Sequence, residues 1–379
     1  MVRLSARGDL VFASPLAGAL RRRHPHVFIA WLAEERAADV IRHNPHLDEV
    51  IVWERAAWRR LLRTGRWGAL AREVVEFFGM LRGRRFDVAI DAQGLLRSGV
   101  VTFLSGAPAR IGLGSREGSR FLMTQVVERG GDDRQVGSEY RYLAGRLGLP
   151  TEPFPMEIPR GAEESGSAAR LLAGAGITRG FVAVCPFTTR DYKHWFEDRW
   201  SSLIRLVQKR LGVGVVLLGG PADRAAARRI LAALPESTPI APPMVDLVGR
   251  TTLGEAAAVV SRCGVLVGVD TGLSHMAHAF DRPAVLLFGS NTPYLDPPGP
   301  RITILHSGRS CSPCRGKLVC DGRIDCMKDI GVAEALAAVA AKLPEGVGRP
   351  SESEEPAGRP HADLGTALAG MARLGRAAP

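Results

Sequence analysis

Residues Gly264 to Ala279 read GVLVGVDTGLSHMAHA. Val265 to Val269 is an apolar run of strand type that stops at Asp270-Thr271-Gly272, and a helix-type pattern begins within two residues. The stretch predicts a strand, a tight polar turn and a helix N-terminus. In an α/β sheet this junction lies at the carboxyl end of the strand, where ligands bind. The unpaired amides and the dipole of the helix start favour an anion such as a diphosphate. Thr271 adds a hydroxyl, Gly272 permits close backbone approach, and Asp270 offers a carboxylate to a sugar hydroxyl or a nearby cation. An ordinary capped turn needs the same residue types. The junction therefore decides the fold class before it decides a function.

The same alternation extends in both directions. Downstream of the middle, strands are expected at Phe181–Cys185, Val213–Leu218, Val265–Val269, Ala284–Phe288 and Ile302–Leu305. Helices fall near Arg199–Leu211, Ala222–Leu234, Leu253–Arg262, Leu273–Phe280 and Val332–Leu343. Upstream, strands at Val27–Leu32, Glu49–Trp53, Asp87–Asp91 and Arg110–Leu113 alternate with helices near Leu16–Arg23, Glu34–Arg42, Trp58–Leu81 and Ser138–Leu147. Such alternation predicts parallel sheets with right-handed crossovers. Prolines at 150, 153, 155 and 159 mark the passage between the halves, from Pro150 to Gly166. The expected division is a domain over 1–158, a linker over 159–178, a second domain over 179–343 and a disordered tail over 344–379, in which Leu364–Leu374 alone has helical character.

At 379 residues the chain suits two domains of ordinary size, each able to bury its own core. The 46% hydrophobic share is that of a soluble globular protein, and no apolar run approaches bilayer-spanning length. Leu10–Leu20 follows Arg3 and Arg7 and imitates a signal peptide, but Asp9 borders it, Pro15 interrupts it and Arg21-Arg22-Arg23 follows it. A strand end, a loop and a helix describe it better, which places the protein in the cytoplasm. The net charge is +11 and comes almost wholly from arginine, the lysines being Lys193, Lys209, Lys317, Lys328 and Lys342. That excess suits an anionic partner (nucleic acid, lipid headgroups or a phosphorylated substrate) or a plain solvated surface.

Two further segments carry chemistry. Cys185 to Trp195 read CPFTTRDYKHW, just past the first strand of the second half. Thr188, Thr189 and Lys193 there place two hydroxyls and a flexible ammonium beside a β–α junction, able to hold phosphate oxygens without a metal. In the first half, Arg3 to Leu10 read RLSARGDL and put Ser5, Gly8 and Asp9 in the first β–α loop. A carboxylate there can act as general base on an acceptor hydroxyl, or simply cap a helix.

RLSARGDLV at the start, DAQGLLRSG at Asp91–Gly99, FTTRDYKHW at Phe187–Trp195, GGPAD at Gly219–Asp223 and VDTGLSHMAHAFDRP at Val269–Pro283 stand in order along the chain. Together they resemble glycosyltransferase family 9, the heptosyltransferases of lipopolysaccharide core assembly. TTRDYKHW is most like the branch that adds the first heptose to the inner-core Kdo of Kdo2-lipid A. The resemblance runs from about Arg3 to Leu343. It implies a GT-B fold, two Rossmann-like domains with parallel sheets facing a central cleft, and an inverting, metal-independent transfer from ADP-L-glycero-β-D-manno-heptose. By position it puts Asp9 at the catalytic base. Thr188, Thr189, Lys193, Thr271 and Gly272 fall at the donor phosphates, and Asp270 and His275 beside the heptose and diphosphate. Asp223 falls near the ribose and Thr251 on the adenine side. Ser5, Gln93 and Arg97 fall toward the acceptor. The chain departs from the family at its front, where relatives carry more residues before RLS: Met1-Val2 leaves the first strand nearly absent, so either the start is placed too late or a core strand is cut short at a cost in stability. It also lacks the histidine expected around Arg134-Gln135-Val136.

Arg59, Arg63 and Arg66 lie on one helical face between Trp58 and Trp67. Such a face suits the carboxylates and phosphates of a Kdo-lipid A or core-oligosaccharide acceptor in the inner leaflet, hence peripheral attachment to the inner membrane, or equally a solvated basic helix. Cys311, Cys314, Cys320 and Cys326 form C-x2-C-x5-C-x5-C within the loop 311–326, a pattern that favours structural zinc over disulfides in a cytoplasmic protein. Cys185 and Cys263 read as core. No cofactor is expected in catalysis. The competing readings are a family 9 enzyme with another acceptor or donor, and a non-catalytic protein binding nucleotide-sugars or nucleic acid. The absence of an aromatic RNA-binding signature speaks against nucleic acid.

Overall fold

Apolar runs alternating with amphipathic segments build two parallel sheets, each flanked by helices, in a computed structural model of the chain. The structure describes residues 1–132, 134–177, 180–234, 242–291, 299–314, 316 and 319–347; the expected tail from 348 on, with Leu364–Leu374, lies outside them. The first half runs α1 (Arg7–Ala13), α2 (Pro15–Arg23), β1 (Ala30–Glu34), α3 (Glu35–Ala38), β2 (Glu49–Trp53), α4 (Arg55–Arg63), α5 (Trp67–Gly83), β3 (Val88–Asp91), α6 (Leu96–Leu104), β4 (Ala109–Leu113), β5 (Gln125–Val127) and α7 (Ser138–Arg146). The second runs α8 (Ala162–Gly174), β6 (Phe181–Cys185), α9 (Glu197–Leu206), β7 (Gly214–Leu217), α10 (Arg224–Ala232), β8 (Met244–Asp246), α11 (Leu253–Val260), β9 (Val265–Val269), α12 (Gly272–Ala279), β10 (Ala284–Phe288), β11 (Ile302–His306), α13 (Asp325–Lys328) and α14 (Val332–Lys342).

The second sheet has the order β11-β10-β9-β6-β7-β8, every neighbouring pair parallel. Its central strands β6, β9 and β10 are buried along their whole length, as strands covered by helices on both faces must be. Winding proceeds outward from β6 through β7 to β8, then returns to β9 and continues the other way. The direction therefore reverses between β6 and β9, and that switch point is where an open α/β sheet takes its ligand. The first half repeats the scheme. β1 pairs with β2, and β3 pairs with β4 and β4 with β5, all parallel. Val2 bridges Leu32 of β1 on one side and Asp91 of β3 on the other. The loop after Val2 and the loop after β3 thus flank the first sheet's own switch point.

Val2 makes bridges on both sides but belongs to no named strand. The Met1 amine donates to the Ala30 carbonyl at 2.7 Å, and burial drops it to about 5 from an ordinary value of 8.0. Beyond it a cavity of about 410 Å³ opens between the two strand pairs, lined by Met1, Ile29, Ala30, Val88 and Ile90 among other apolar residues. Backbone alternation aims the amides of Ala30 and Ile90 into this space, because the carbonyls of the same residues accept from Met1 and Val2.

Several elements differ from expectation for local reasons. The helix expected over Trp58–Leu81 is two helices, α4 and α5, because the chain turns at Thr64–Arg66 with Arg66 N–H on Leu61 O and Gly65 N–H on Leu62 O. The stretch 159–178, expected as linker, holds α8, whose Ala168 and Leu172 pack with α11 residues such as Ala256 and Val259. Its AEESGSAARLLAG sequence has too few apolar residues for a clear helical period. Helix α6 escapes the sequence pattern because its exposed face is apolar, and β5 and β8 are three residues each, too short for a pattern. Cys185 and Cys263 are core residues as expected, and burial pushes the Cys263 thiol up to about 12.

Candidate active site

The second half's motifs meet at its switch point. β6 ends at Cys185, and a single 3-10 turn, Asp191–Lys193, carries the ammonium back across the strand ends. Lys193 Nζ lies 2.6 Å from Asp270 Oδ2, at the end of β9. Asn291, just past β10, donates to the same oxygen at 2.6 Å, while His275 Nε2 lies 3.0 Å from Oδ1. Burial alone would raise the Asp270 carboxyl, but His275 and Lys193 outweigh it and hold the group well below the usual carboxylate range. Thr271 is the N-cap of α12 and makes no side-chain cap hydrogen bond, and Thr188 and Thr189 lie half-buried and exposed in the loop after β6. The arrangement brings an ammonium, an amide and an imidazole onto one buried carboxylate at the start of α12, a setting able to receive negative charge.

The first half's motifs meet at the other switch point. Asp9, third residue of α1, accepts the Ala6 amide at 3.0 Å and Arg3 Nη2 at 2.6 Å, both on Oδ2. So the carboxylate does cap its helix, through one oxygen only, and its side chain is 42% exposed. Ser5 accepts from Arg97 Nη2 at 3.3 Å. Arg97 and Arg55 share Glu34 Oε1 at 3.4 and 3.3 Å, and Arg59 adds its charge beside Arg55, lowering the latter's basicity after burial and Arg97. Arg59 and Arg63 project from exposed positions of α4. Gln93 is buried and spends Oε1 on the Leu4 amide at 2.9 Å, so it holds the loop from beneath. Asp91 folds its own turn by accepting Gln93 and Gly94 amides and the Ser98 hydroxyl.

These two sets touch. Helix α1 packs on α12, the Phe12 and His275 rings lie 4.6 Å apart, and Met276 joins the first half's core. The approach requires glycine at two places. A Cβ on Gly8 would come within 2.5 Å of His275 Cδ2, and one on Gly272 within 2.9 Å of Arg7 Cβ. The motif glycines beside Asp9 and Thr271 are thus points of close contact between the halves. Not every expected residue joins the group. Asp223 accepts the Gly220 amide at 2.7 Å within its own turn and reaches the group only through its charge on Arg7, and Thr251 precedes the Thr252–Glu255 capping box that starts α11.

The sequence reading missed Arg3, Glu34, Arg55 and Asn291. Asn291 had a positional signal, since it follows a fully buried strand at its carboxyl end. Arg3 had none, because its pairing with Asp9 depends on the loop's path. The four loop thiols line one small cavity with Ser290, and burial and the charges of Cys311, Cys314 and Cys320 push the Cys326 thiol up. All are free, and among the described residues no group of three or more His, Cys, Asp or Glu is arranged to hold a metal ion.

Two helix-flanked parallel sheets with polar loops meeting at both switch points define a fold of GT-B type. The profile of glycosyltransferase family 9 (heptosyltransferase) matches residues 74–322. Lipopolysaccharide heptosyltransferase 1 of Pseudomonas aeruginosa is 28% identical over 324 residues, covering 84% of this chain and 86% of that one. Among solved structures, the family 9 glycosyltransferase of Veillonella parvula superposes with a TM-score of 0.77 at 21% identity, covering 90% of this chain and 95% of that one. Escherichia coli heptosyltransferase WaaC with ADP-2-deoxy-2-fluoro heptose gives 0.65 at 23%, covering 90% and 98%. The protein belongs to glycosyltransferase family 9, the heptosyltransferases.

Proposed function

We propose that this enzyme transfers heptose from ADP-heptose to a hydroxyl of the lipopolysaccharide inner core, Kdo-lipid A, with inversion and without a metal. The observation that carries the reading is the contact of the Gly8-Asp9 loop with the Asp270–Gly272 turn, one motif from each half. Residues 1–158 then supply the acceptor side and 179–343 the donor side. Asp9 Oδ1 takes the proton of the acceptor hydroxyl as its oxygen bonds the anomeric carbon. The bond from that carbon to the β-phosphate oxygen breaks, and ADP departs on the opposite face. Lys193, Thr188, Thr189 and the amides at the start of α12 receive the developing charge. Asp223 and Thr251 are assigned to the nucleoside end. The donor reading rests on the relatives' names and on the anion-receiving geometry. Thermal shift tests it: ADP should raise Tm more than UDP or GDP, and an oligonucleotide should leave it unmoved. Equal shifts from all three diphosphates would remove the adenosine assignment.

The acceptor reading includes docking on an anionic bilayer. Among the described residues no helix is long and apolar enough to cross a membrane. Helix α6 starts at the first switch point and exposes Leu96, Val100 and Phe103 along one face, with Phe121 alongside at 86% exposure. Arg116 and Arg120 are exposed beside it, and Arg59 and Arg63 on α4. Apolar side chains rimmed by arginine suit a surface of anionic headgroups. Replacing both Phe103 and Phe121 by serine should cut sedimentation with anionic vesicles several-fold. Transfer to a water-soluble acceptor should not change. Undiminished sedimentation would move the docking face elsewhere.

A further inference from the structure

The geometry assigns Arg3 to positioning the Asp9 carboxylate, an inference that rests on Asp9 being the base. Arg3 is 7% exposed, and its guanidinium sits among three distant parts of the chain. Nη2 holds Asp9 Oδ2 at 2.6 Å, Nη1 reaches the Ala92 carbonyl at 3.5 Å beyond β3, and the Tyr140 ring of α7 lies 6.0 Å away. Arginine in a structural network normally spends most of its five donors. Here Nε has no partner among the described residues, and neither has the buried Tyr140 hydroxyl next to it. A cation is thus kept out of water with Asp9 as its one carboxylate at contact distance among the described residues, while Glu139 and Asp91 act on it from farther away, and its desolvation is not offset by a full set of bonds. Asp9 is what it serves.

The consequence for Asp9 is geometric. On the first turn of an exposed helix end, a short carboxylate has several rotamers open to it. Two donors on Oδ2, the Ala6 amide from its own loop and Arg3 from the sheet beneath, hold one of them. That leaves Oδ1, which takes no donor among the described residues, on a side chain that is 42% exposed. The bond to Arg3 ties the carboxylate to the sheet rather than to the helix alone. Arg3 does not itself reach a substrate from its buried place, so it acts through Asp9. A misplacement of about 1 Å in a reacting group costs about 10²-fold in rate.

A double-mutant cycle tests this, with kcat, donor KM and Tm measured for Arg3→Met, Asp9→Asn and both together. Arg3→Met should lower kcat by about 10–10²-fold with donor KM nearly constant. In the Asp9→Asn background the same change should cost almost nothing, because no base is left to position. Losses that multiply in the double variant would overturn the proposal and make Arg3 a structural residue. If Arg3→Met does not fold, Arg3→Lys is used: it keeps the cation but not the fork, and its smaller kcat loss should likewise vanish when combined with Asp9→Asn. A near-normal rate in Asp9→Asn alone removes the base assignment itself, which the single variant reads separately from the cycle.

Discussion

Replacing Lys193 by alanine is expected to lower turnover about 10²–10³-fold, the usual cost of losing one preorganised charge at a leaving group. The structure adds a complication that sequence alone could not. Lys193 also partners Asp270, whose side chain is 11% exposed, so the alanine variant leaves a buried carboxylate with Asn291 and His275 only. Some loss of Tm should accompany the loss of rate. Lys193→Gln separates the two, since its amide still donates to Asp270 but carries no charge. Near-normal melting with the full kinetic loss is the expected outcome for glutamine. Undiminished turnover in either folded variant would remove Lys193 from the donor site.

Asp9→Asn is expected to bind ADP-heptose as the unaltered protein does and to lose about 10²–10⁴ in kcat. The amide retains the oxygen that accepts the Ala6 N–H and Arg3, so the helix cap survives. It cannot take a proton. Asp9 and the donor motifs come from opposite halves, which is why donor affinity should hardly move. Calorimetry on the donor, beside ADP release with and without acceptor, separates these effects. Normal donor binding with normal transfer would make Asp9 a helix cap and nothing more.

How far this could be read from the residues differs between the two halves. Strands β6, β9 and β10 are apolar throughout, and their expected bounds agree with the structure. The polar residues that follow them are on the same side of one sheet, so CPFTTRDYKHW and DTG could be placed together before any coordinates. In the first half the strand that carries RLSARGD is reduced to a bridge at Val2, and α6 presents apolar residues outward. Local pattern fails where burial and polarity part company. Pairings across distant segments were illegible for a different reason. Arg3 on Asp9, Asn291 on Asp270 and Arg55 on Glu34 depend on loop paths that no periodicity encodes. Equally, the sequence raised Gln93 as an acceptor contact, and only the structure reveals that the residue is buried with its Oε1 held by the Leu4 amide.

The most direct measurement is a mass-spectrometric transfer assay with ADP-heptose and Kdo2-lipid A in the presence of EDTA, with the protein's folding monitored alongside. The account predicts a product heavier by one heptose, one ADP released per transfer, and the same rate with and without chelator. A folded protein that adds no heptose under any condition, or that does so only when Mg²⁺ or Mn²⁺ is restored, would contradict it.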